Sequence, residues 1–256
     1  MNRMPVLFIG HGSPMNAIED NEFSRAWLAA GKALPHPKAI LCISAHWESE
    51  GTQVTAMEKP KTIYDFYGFP PELYASSYPA PGSPELASRV RDLVKPISVR
   101  LDQAWGLDHG TWSVLTRLFP AADVPVVQLS LDVNKNPQQH YDLGRQLHSL
   151  RDEGVLILGS GNLVHNLRML NWDDTAINWA VEFDANVRQW ILDHNHEPII
   201  QYQKQGQTAA LAINSAEHYK PLLYVLGASD PEEPIQFFAE KITMGSISMR
   251  SIQIGA

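Results

Sequence analysis

The chain has 256 residues and a formal net charge of −8 at pH 7. This length suits one α/β domain with a sizeable core. The acidic balance and the scattered basic residues argue against binding to nucleic acid or to an anionic membrane surface. The single cysteine, Cys42, excludes an internal disulfide and zinc sites that need two thiolates. The apolar run at residues 5–9 is too short for a signal peptide or a membrane span, so we expect a soluble, cytoplasmic protein.

Four continuously apolar runs predict the central strands of a sheet. They span residues 6–9, 40–44, 126–131 and 155–158. Runs without polar alternation are typical of strands that are covered on both faces. Helical patterns lie between and after these runs, at residues 21–34, 85–94, 138–150, 176–194 and 217–228. The alternation of strands and helices predicts a single α/β domain over residues 1–256, with a central, mainly buried sheet flanked by helices on both faces.

Two further segments have weaker patterns. The alternation of Ile247, Met249 and Ile252 indicates a closing strand. Residues 60–83 are rich in aromatic residues and proline but have no sustained period, which indicates one long ordered loop. Loops of this length are usually functional or disordered, and the aromatic content disfavours disorder.

Three histidines follow predicted strands close to the point where each strand ends. His11 follows the first run in IGHGSP, His46 follows the second in CISAHWES, and His165 follows the fourth in LGSGNLVHN. Open α/β sheets place their sites at the carboxyl ends of their strands. His109, in GLDHGTW, and His218, in NSAEHYKPLL, are two further candidates. Imidazole is the commonest metal ligand and transfers protons near neutral pH, so this pattern indicates a metal with a base beside it.

Other catalytic motifs are absent or incomplete. The stretch GSGNLVHN has Val164 where a dinucleotide-binding fingerprint has its third glycine, and no phosphate-binding GK[ST] motif occurs. Ser13 and Ser160 lie beside glycines, but neither stands in a G-x-S-x-G nucleophile motif. The sequence therefore gives no support to a nucleotide-binding protein or a serine hydrolase.

A series of motifs in chain order resembles a known enzyme family. The motifs are GHGSPMN, SAHWES, YDFYGFP, YPAPGSP, WGLDHGTW, SGNLVHNLR and EHYKPLLYVLGA. Together they resemble the LigB-type class III extradiol ring-cleavage dioxygenases, and most closely the 4,5-DOPA dioxygenase branch. The resemblance runs over essentially the whole chain, and it implies a LigB-like sandwich of the phosphorylase/peptidyl-hydrolase type.

The resemblance also implies roles for individual histidines. His11, His46 and His218 correspond to the metal ligands. His165 is implied either as a fourth ligand in a zinc-bound resting form or as the acid/base once a catechol is bound. His109 is implied to contact the substrate or dioxygen, and Asp108 is either its orienting partner or an exposed loop carboxylate.

The implied ligand set departs from the common iron oxygenase pattern of two histidines and one carboxylate. Glu217 is the nearest candidate for a carboxylate, but neighbouring residues of a helix point about 100° apart, so we expect His218 to be the ligand. Three neutral ligands leave more positive charge on the metal, which favours a dianionic catecholate and also suits zinc.

The resemblance implies an extradiol dioxygenase that uses Fe(II), with Zn(II) as another metal that the site can bind. It opens a catechol ring with O2, by 4,5-cleavage of DOPA or a related catechol. The aromatic residues Tyr64, Phe66 and Tyr67 are candidates for the wall of a flat substrate. A zinc-dependent amide or ester hydrolase and a non-catalytic interaction protein of the Memo type remain alternatives, and the oligomeric state, monomer or homodimer, stays open.

Overall fold

The computed structural model describes residues 3–255. The strands within these residues are β1 (Val6–Gly10), β2 (Ala39–Ser49), β3 (Thr52–Thr55), β4 (Val99–Asp102), β5 (Val126–Asp132), β6 (Val155–Gly161), β7 (Ile235–Phe238), β8 (Ile242–Thr243), β9 (Ile247–Ser248) and β10 (Ser251–Ile254). The helices are α1 (Glu22–Ala33), α2 (Pro71–Ala75), α3 (Pro84–Leu93), α4 (His109–Leu118), α5 (Pro137–Leu147), α6 (Asn178–Leu192), α7 (Glu197–Ile200), α8 (Gly206–Ala212) and α9 (Lys220–Ala228).

The main sheet has the strand order β4-β3-β5-β2-β6-β1-β10-β7. Its centre consists of β5, β2, β6 and β1, which are adjacent and mutually parallel. These are the four continuously apolar runs, so the prediction of the sheet centre is confirmed. Strands β10 and β7 add antiparallel pairs at one side, and β3 pairs with both β5 and β4 at the other. The sheet is therefore mixed, with a parallel centre.

Hydrophobic cores cover both faces of the sheet. Along β2, Leu41 and Ile43 belong to the core on one face, and Ile40 and Cys42 belong to the core on the other. Side chains of a strand alternate between faces, so a run without polar residues fills both cores. Helices α3, α5, α6 and α9 contribute to the first core, and α1 and α4 contribute to the second. The predicted α/β class, with helices on both faces, is confirmed.

Several elements differ from the sequence-based predictions. The peripheral strands β3, β4 and β7 and the helix α4 were not predicted, and residues 60–83 contain the short helix α2. The predicted closing strand is divided, because β9 pairs with β8 whereas β10 pairs with β1. Strand β2 continues past His46, and α9 begins two residues after His218. Within residues 3–255, no helix combines the length and the apolar character needed to cross a membrane.

Candidate metal centre

Three of the predicted histidines converge at the carboxyl ends of the central strands. One ring nitrogen from each of His11, His46 and His218 lies within 4.8 Å of the others. The Nε2 atoms of His11 and His46 are 3.0 Å apart. These residues come from the end of β1, from β2 and from the turn before α9, so the fold brings together side chains that are up to 207 positions apart in the chain.

The glycines on either side of His11 allow the chain to turn in a crowded place. Gly12 has a φ of +57°, in the left-handed region that favours glycine. A Cβ atom on Gly10 would lie 2.6 Å from the carbonyl carbon of Met249, closer than packed atoms approach. The GHG sequence therefore lets β1 end directly beneath the site with His11 facing the cleft.

A bulge in β2 positions His46. Ile43 pairs with Leu129 of β5, but the next pair is Glu48 with Leu131, so β2 contains extra residues at this point. Bulges of this kind redirect side chains, and they occur often beside functional sites. The sequence had predicted that His46 follows the end of the strand, but His46 lies within β2.

The turn before α9 holds His218 against β6. The His218 carbonyl accepts a hydrogen bond from the Asn162 N–H at 2.9 Å, and this carbonyl would clash with any Cβ atom on Gly161. The Asn162 amide group donates to the Ser248 carbonyl at 2.7 Å. Its Oδ1 therefore faces the Nδ1 of His218, 3.0 Å away, as an acceptor. This contact fixes the proton on Nδ1 and leaves Nε2 of His218 with a free lone pair.

His11 is oriented in the same way by Ser160. The Ser160 hydroxyl donates to the Gly110 carbonyl at 2.5 Å, so it acts as the acceptor towards the Nδ1 of His11, 3.0 Å away. A serine hydroxyl has only one proton to donate, which leaves the proton of the imidazole on Nδ1. Nε2 of His11 therefore also has a free lone pair.

All three imidazoles are in the form that binds metals. Burial lowers the pKa of His11 and that of His218 well below the ordinary value, and burial and the nearby His109 lower the pKa of His46 to about 3. Neutral imidazoles offer a lone pair to a cation. The Nε2 atoms of His11 and His46 are 3.0 Å apart, close enough for both to reach one ion at the usual metal–nitrogen distance of about 2.1 Å. The residues fit a divalent cation that prefers nitrogen ligands.

A carboxylate that was not predicted, Asp65, orients His109. Its two oxygens accept hydrogen bonds from the His109 backbone N–H and from Nδ1, each at 2.9 Å. Burial raises the pKa of Asp65, but the hydrogen bonds from His109 and the proximity of the His109 and His46 rings together outweigh this effect and lower the pKa overall. The only sequence signal for Asp65 is its place in the YDFYGFP motif, within the long loop.

Both sequence-based expectations for Asp108 were wrong. Its side chain is fully buried at the N-terminus of α4, where it accepts a hydrogen bond from the Thr111 N–H at 3.1 Å. It also accepts hydrogen bonds from the Ser44 hydroxyl and the Gln128 amide, both at 2.7 Å. Burial raises the pKa of Asp108. Asp108 therefore connects α4 with β2 and β5 and does not contact the His109 ring as its orienting partner.

Two further groups of potential ligands overlap with the first. His46, Asp65 and His109 have ligand atoms within 4.8 Å of one another, and so do His165, Glu217 and His218. The group around Asp65 has the composition of two histidines and one carboxylate that is common in iron oxygenases. The group around Glu217 has the same composition. His46 links the Asp65 group to the histidine triad, and His218 links the Glu217 group to it, so both carboxylate groups compete with the predicted ligand set.

His165 lies beside the histidine triad. Its ring stacks on that of His218, with centroids 3.5 Å apart and an interplanar angle of 9°. Burial lowers the pKa of His165 to about 4. The His165 ring also lines the cleft, where a ligand can reach it.

The histidines line one end of a cleft of about 460 Å³. The other lining residues are Gly12, Ser13, Pro14, Phe66, Phe69, Leu167, Trp172, Met244 and Ile247. Of the three aromatic residues predicted to form a wall, Phe66 does so. Tyr64 packs against Phe66 and Trp112 outside the lining, and Tyr67 is 92% exposed.

Comparisons with known proteins agree with this architecture. The family described as "Catalytic LigB subunit of aromatic ring-opening dioxygenase" matches residues 5–251. A protein of Escherichia coli (strain K12) named "4,5-DOPA dioxygenase extradiol" is 52% identical, with 99% of this chain and 95% of the relative covered. A relative of the same name from Beta vulgaris is 40% identical, with 89% of this chain and 88% of the relative covered. The crystal structure of an uncharacterized protein from Escherichia coli K12 is 47% identical and covers 99% of this chain and 100% of its own, with a TM-score of 0.86. The chain belongs to the LigB family of aromatic ring-opening dioxygenases.

Proposed function

We propose that this chain is a metal-dependent extradiol dioxygenase that opens the ring of a catechol with O2, by 4,5-cleavage in the case of DOPA. The convergence of His11, His46 and His218, three neutral imidazoles with one ring nitrogen each within 4.8 Å of the others, is the observation that carries the proposal. The names of the relatives support the reaction type and the choice of DOPA as a first substrate. We further propose that residues 1–256 form one dioxygenase domain.

The proposed ligands of the metal are His11, His46 and His218, with Fe(II) as the metal that supports activity and Zn(II) as a second metal that the site binds. When bound, the metal supplies a Lewis acid that favours the ionised catechol, and iron supplies the redox chemistry that dioxygen requires. Asn162 and Ser160 hold protons on the Nδ1 atoms of His218 and His11 and so keep both Nε2 atoms directed at the ion.

His165 is proposed as the acid/base of the reaction. A lowered pKa keeps its imidazole neutral at pH 7, so the ring can take a proton from a catechol hydroxyl. The stacking on His218 holds the ring at the edge of the triad. The proton can be returned when the ring opens. In a zinc-bound resting form, the neutral imidazole can act as a fourth ligand.

His109 is proposed to contact the substrate or dioxygen through Nε2, because Nδ1 is occupied by Asp65. Neutral His109 therefore offers a lone pair to the cleft. In this tautomer Nε2 can accept a hydrogen bond from a catechol hydroxyl. Phe66 and Phe69 provide flat apolar surfaces against which a catechol ring can be oriented.

The test is oxygen uptake by protein that has been loaded anaerobically with Fe(II) and then mixed with L-DOPA and oxygen. We expect one O2 to be consumed for each ring-opened, yellow product. His11→Ala should abolish both metal binding and oxygen uptake. His165→Gln should keep the metal but lower kcat by about 100- to 10,000-fold, the usual effect of losing an acid/base.

The same preparations test the alternatives. Hydrolysis of an ester by the zinc-loaded protein without oxygen uptake would indicate a zinc hydrolase. Failure of both metal forms to turn over any catechol or ester, with peptides retained in a pull-down, would indicate an interaction protein of the Memo type. Either result would contradict the proposed dioxygenase.

A further inference from the structure

In the described part of the chain, the cleft beside the histidines lacks the charged side chains that a binding site for an amino acid normally has. Within residues 3–255, its lining contains no Lys, Arg, Asp or Glu side chain. DOPA has both a carboxylate and an ammonium group, and sites that recognise such groups normally supply paired charges or hydrogen-bond donors. Beyond the histidines and Ser13, the cleft offers mainly apolar surface.

The nearest carboxylates are already engaged with the protein. Asp65 lies behind His109 and is hydrogen-bonded to it, and Glu217 accepts a hydrogen bond from the Ser215 hydroxyl at 2.8 Å. Arg168, beside the lining residue Leu167, is exposed and lies outside the lining. No described cation faces the interior of the cleft where the carboxylate of an amino acid would need one.

A segment that contributes to the lining of this cleft carries exposed apolar side chains. Large hydrophobic residues with high exposure include Leu167 (57%), Met169 (37%) and Trp172 (80%), all within one short segment. Leu167 and Trp172 line the cleft directly, together with Met244 and Ile247. Exposed apolar clusters at the rim of a cleft usually mark a surface that an apolar ligand covers. The cleft volume also falls within the range of about 300–1,000 Å³ that is typical of sites for ligands larger than a single ring.

From these observations we propose that the cleft selects catechols with an uncharged, apolar side chain over DOPA, and that Trp172 and Leu167 contact this side chain. This inference rests on the proposed function, because it concerns the substrate of the same site. The histidines bind the catechol ring, so charge on the side chain decides the preference. Burial of each methylene group is worth roughly a fourfold gain in affinity, whereas the charged groups of DOPA find no ionic partner.

The experiment compares four catechols with side chains of similar length: 4-propylcatechol, 3-(3,4-dihydroxyphenyl)propionate, dopamine and L-DOPA. We measure kcat/KM by oxygen uptake with Fe(II)-loaded protein and Kd under anaerobic conditions with Zn(II)-loaded protein. We expect 4-propylcatechol to exceed each charged catechol at least tenfold in both measurements. Equal or better values for L-DOPA or for the propionate would overturn the proposal. A preference for dopamine would also overturn it and would indicate that Glu217 recruits an ammonium group.

Point variants test whether the preference for an apolar side chain arises at the cleft residue Trp172. Trp172→Ala should raise the KM for 4-propylcatechol about tenfold and leave kcat/KM for unsubstituted catechol within twofold. Leu192→Ala, which removes an exposed apolar residue on α6 outside the lining, should change neither value. Arg168→Ala should leave the values for L-DOPA unchanged, and a large loss for L-DOPA would contradict the proposal. If no catechol consumes oxygen, the proposed function fails, and the order of the Kd values still decides the substrate preference.

Discussion

Replacing Asp65 by Asn distinguishes the two overlapping ligand groups that share His46. In the proposed site, Asp65 only orients His109, and the metal is bound by His11, His46 and His218. In the competing group, Asp65 is itself a ligand. Asp65→Asn should therefore leave the metal in place in the first case and remove it in the second.

The effect on turnover follows from the two hydrogen bonds that Asp65 accepts from His109. Asn has one oxygen acceptor in place of two, so one of these bonds is lost in either orientation of the amide. Loss of a hydrogen bond to a charged group costs about 1.5–3 kcal/mol, which corresponds to about a 10- to 150-fold lower kcat if the bond is needed in the transition state. Asp65 Oδ2 is 3.4 Å from Nδ1 of His46, longer than a normal hydrogen bond, so we expect metal affinity to change less than tenfold.

The assay combines elemental analysis after anaerobic loading with Fe(II) and steady-state oxygen uptake with a catechol. Asp65→Asn should retain about one metal ion per chain and lose kcat, whereas His218→Ala should lose the metal. Asp142→Asn, at a carboxylate on α5 that accepts a hydrogen bond from the Gln138 side chain, is the matched control and should behave like the wild type. Loss of metal from Asp65→Asn to the same extent as from His218→Ala would refute the proposed ligand set.

Three further substitutions test contacts that position His218 and an ion pair that stabilises the fold. Asn162→Leu removes the acceptor from His218 and should weaken zinc binding about 10- to 100-fold in a chelator competition; unchanged affinity would show that Asn162 does not orient the ligand. Gly161→Ala should displace the His218 carbonyl and lower both the melting temperature and metal occupancy, and a variant with normal values for both would contradict the close packing. Burial raises the pKa of Glu233, but the ion pair with the buried Arg151, the hydrogen bond from the Asp230 N–H and the charge of Arg3 together hold the pKa below the ordinary 4.5. Glu233→Gln should therefore cost about 1–3 kcal/mol of unfolding free energy at pH 7. Because the carboxylate stabilises the fold only while it is ionised, the difference from wild type in urea titrations should shrink as the pH falls below 4.5 through the lowered pKa; a constant difference would contradict the ion pair.

The sequence predicted the centre of the sheet because central parallel strands carry a strong local signal. Continuous apolar runs are required where both faces are covered, as in β1, β2, β5 and β6. The peripheral strands β3 and β4, with the sequences TQVT and VRLD, are short and contain polar residues, so they lack that signal. Helix α4 was missed because it is short and contains Gly110 and the β-branched Thr111, Val114 and Thr116, which are weak helix formers.

The candidate site was predicted less completely than the fold. Placing His11, His46 and His165 near strand ends required only the order of strands, and the parallel centre of the sheet brings such ends to one edge. Asp65 could not be found in this way, since it lies in an aperiodic loop, and its contact with His109, 44 positions away, depends on how that loop packs. Asp108 was misjudged for a different reason. A polar residue in a turn motif is usually exposed, and the sequence does not show that Asp108 has the buried partners Ser44 and Gln128.

The bulge in β2 has a consequence for how this chain can change during evolution. Side chains alternate along a strand, so removing Ser44 or Ala45 would present Trp47 where His46 now stands. Replacing a neighbouring residue leaves this alternation intact. The segment should therefore accept amino-acid exchanges far more readily than deletions, because the number of residues in the bulge decides which side chain occupies the position of His46.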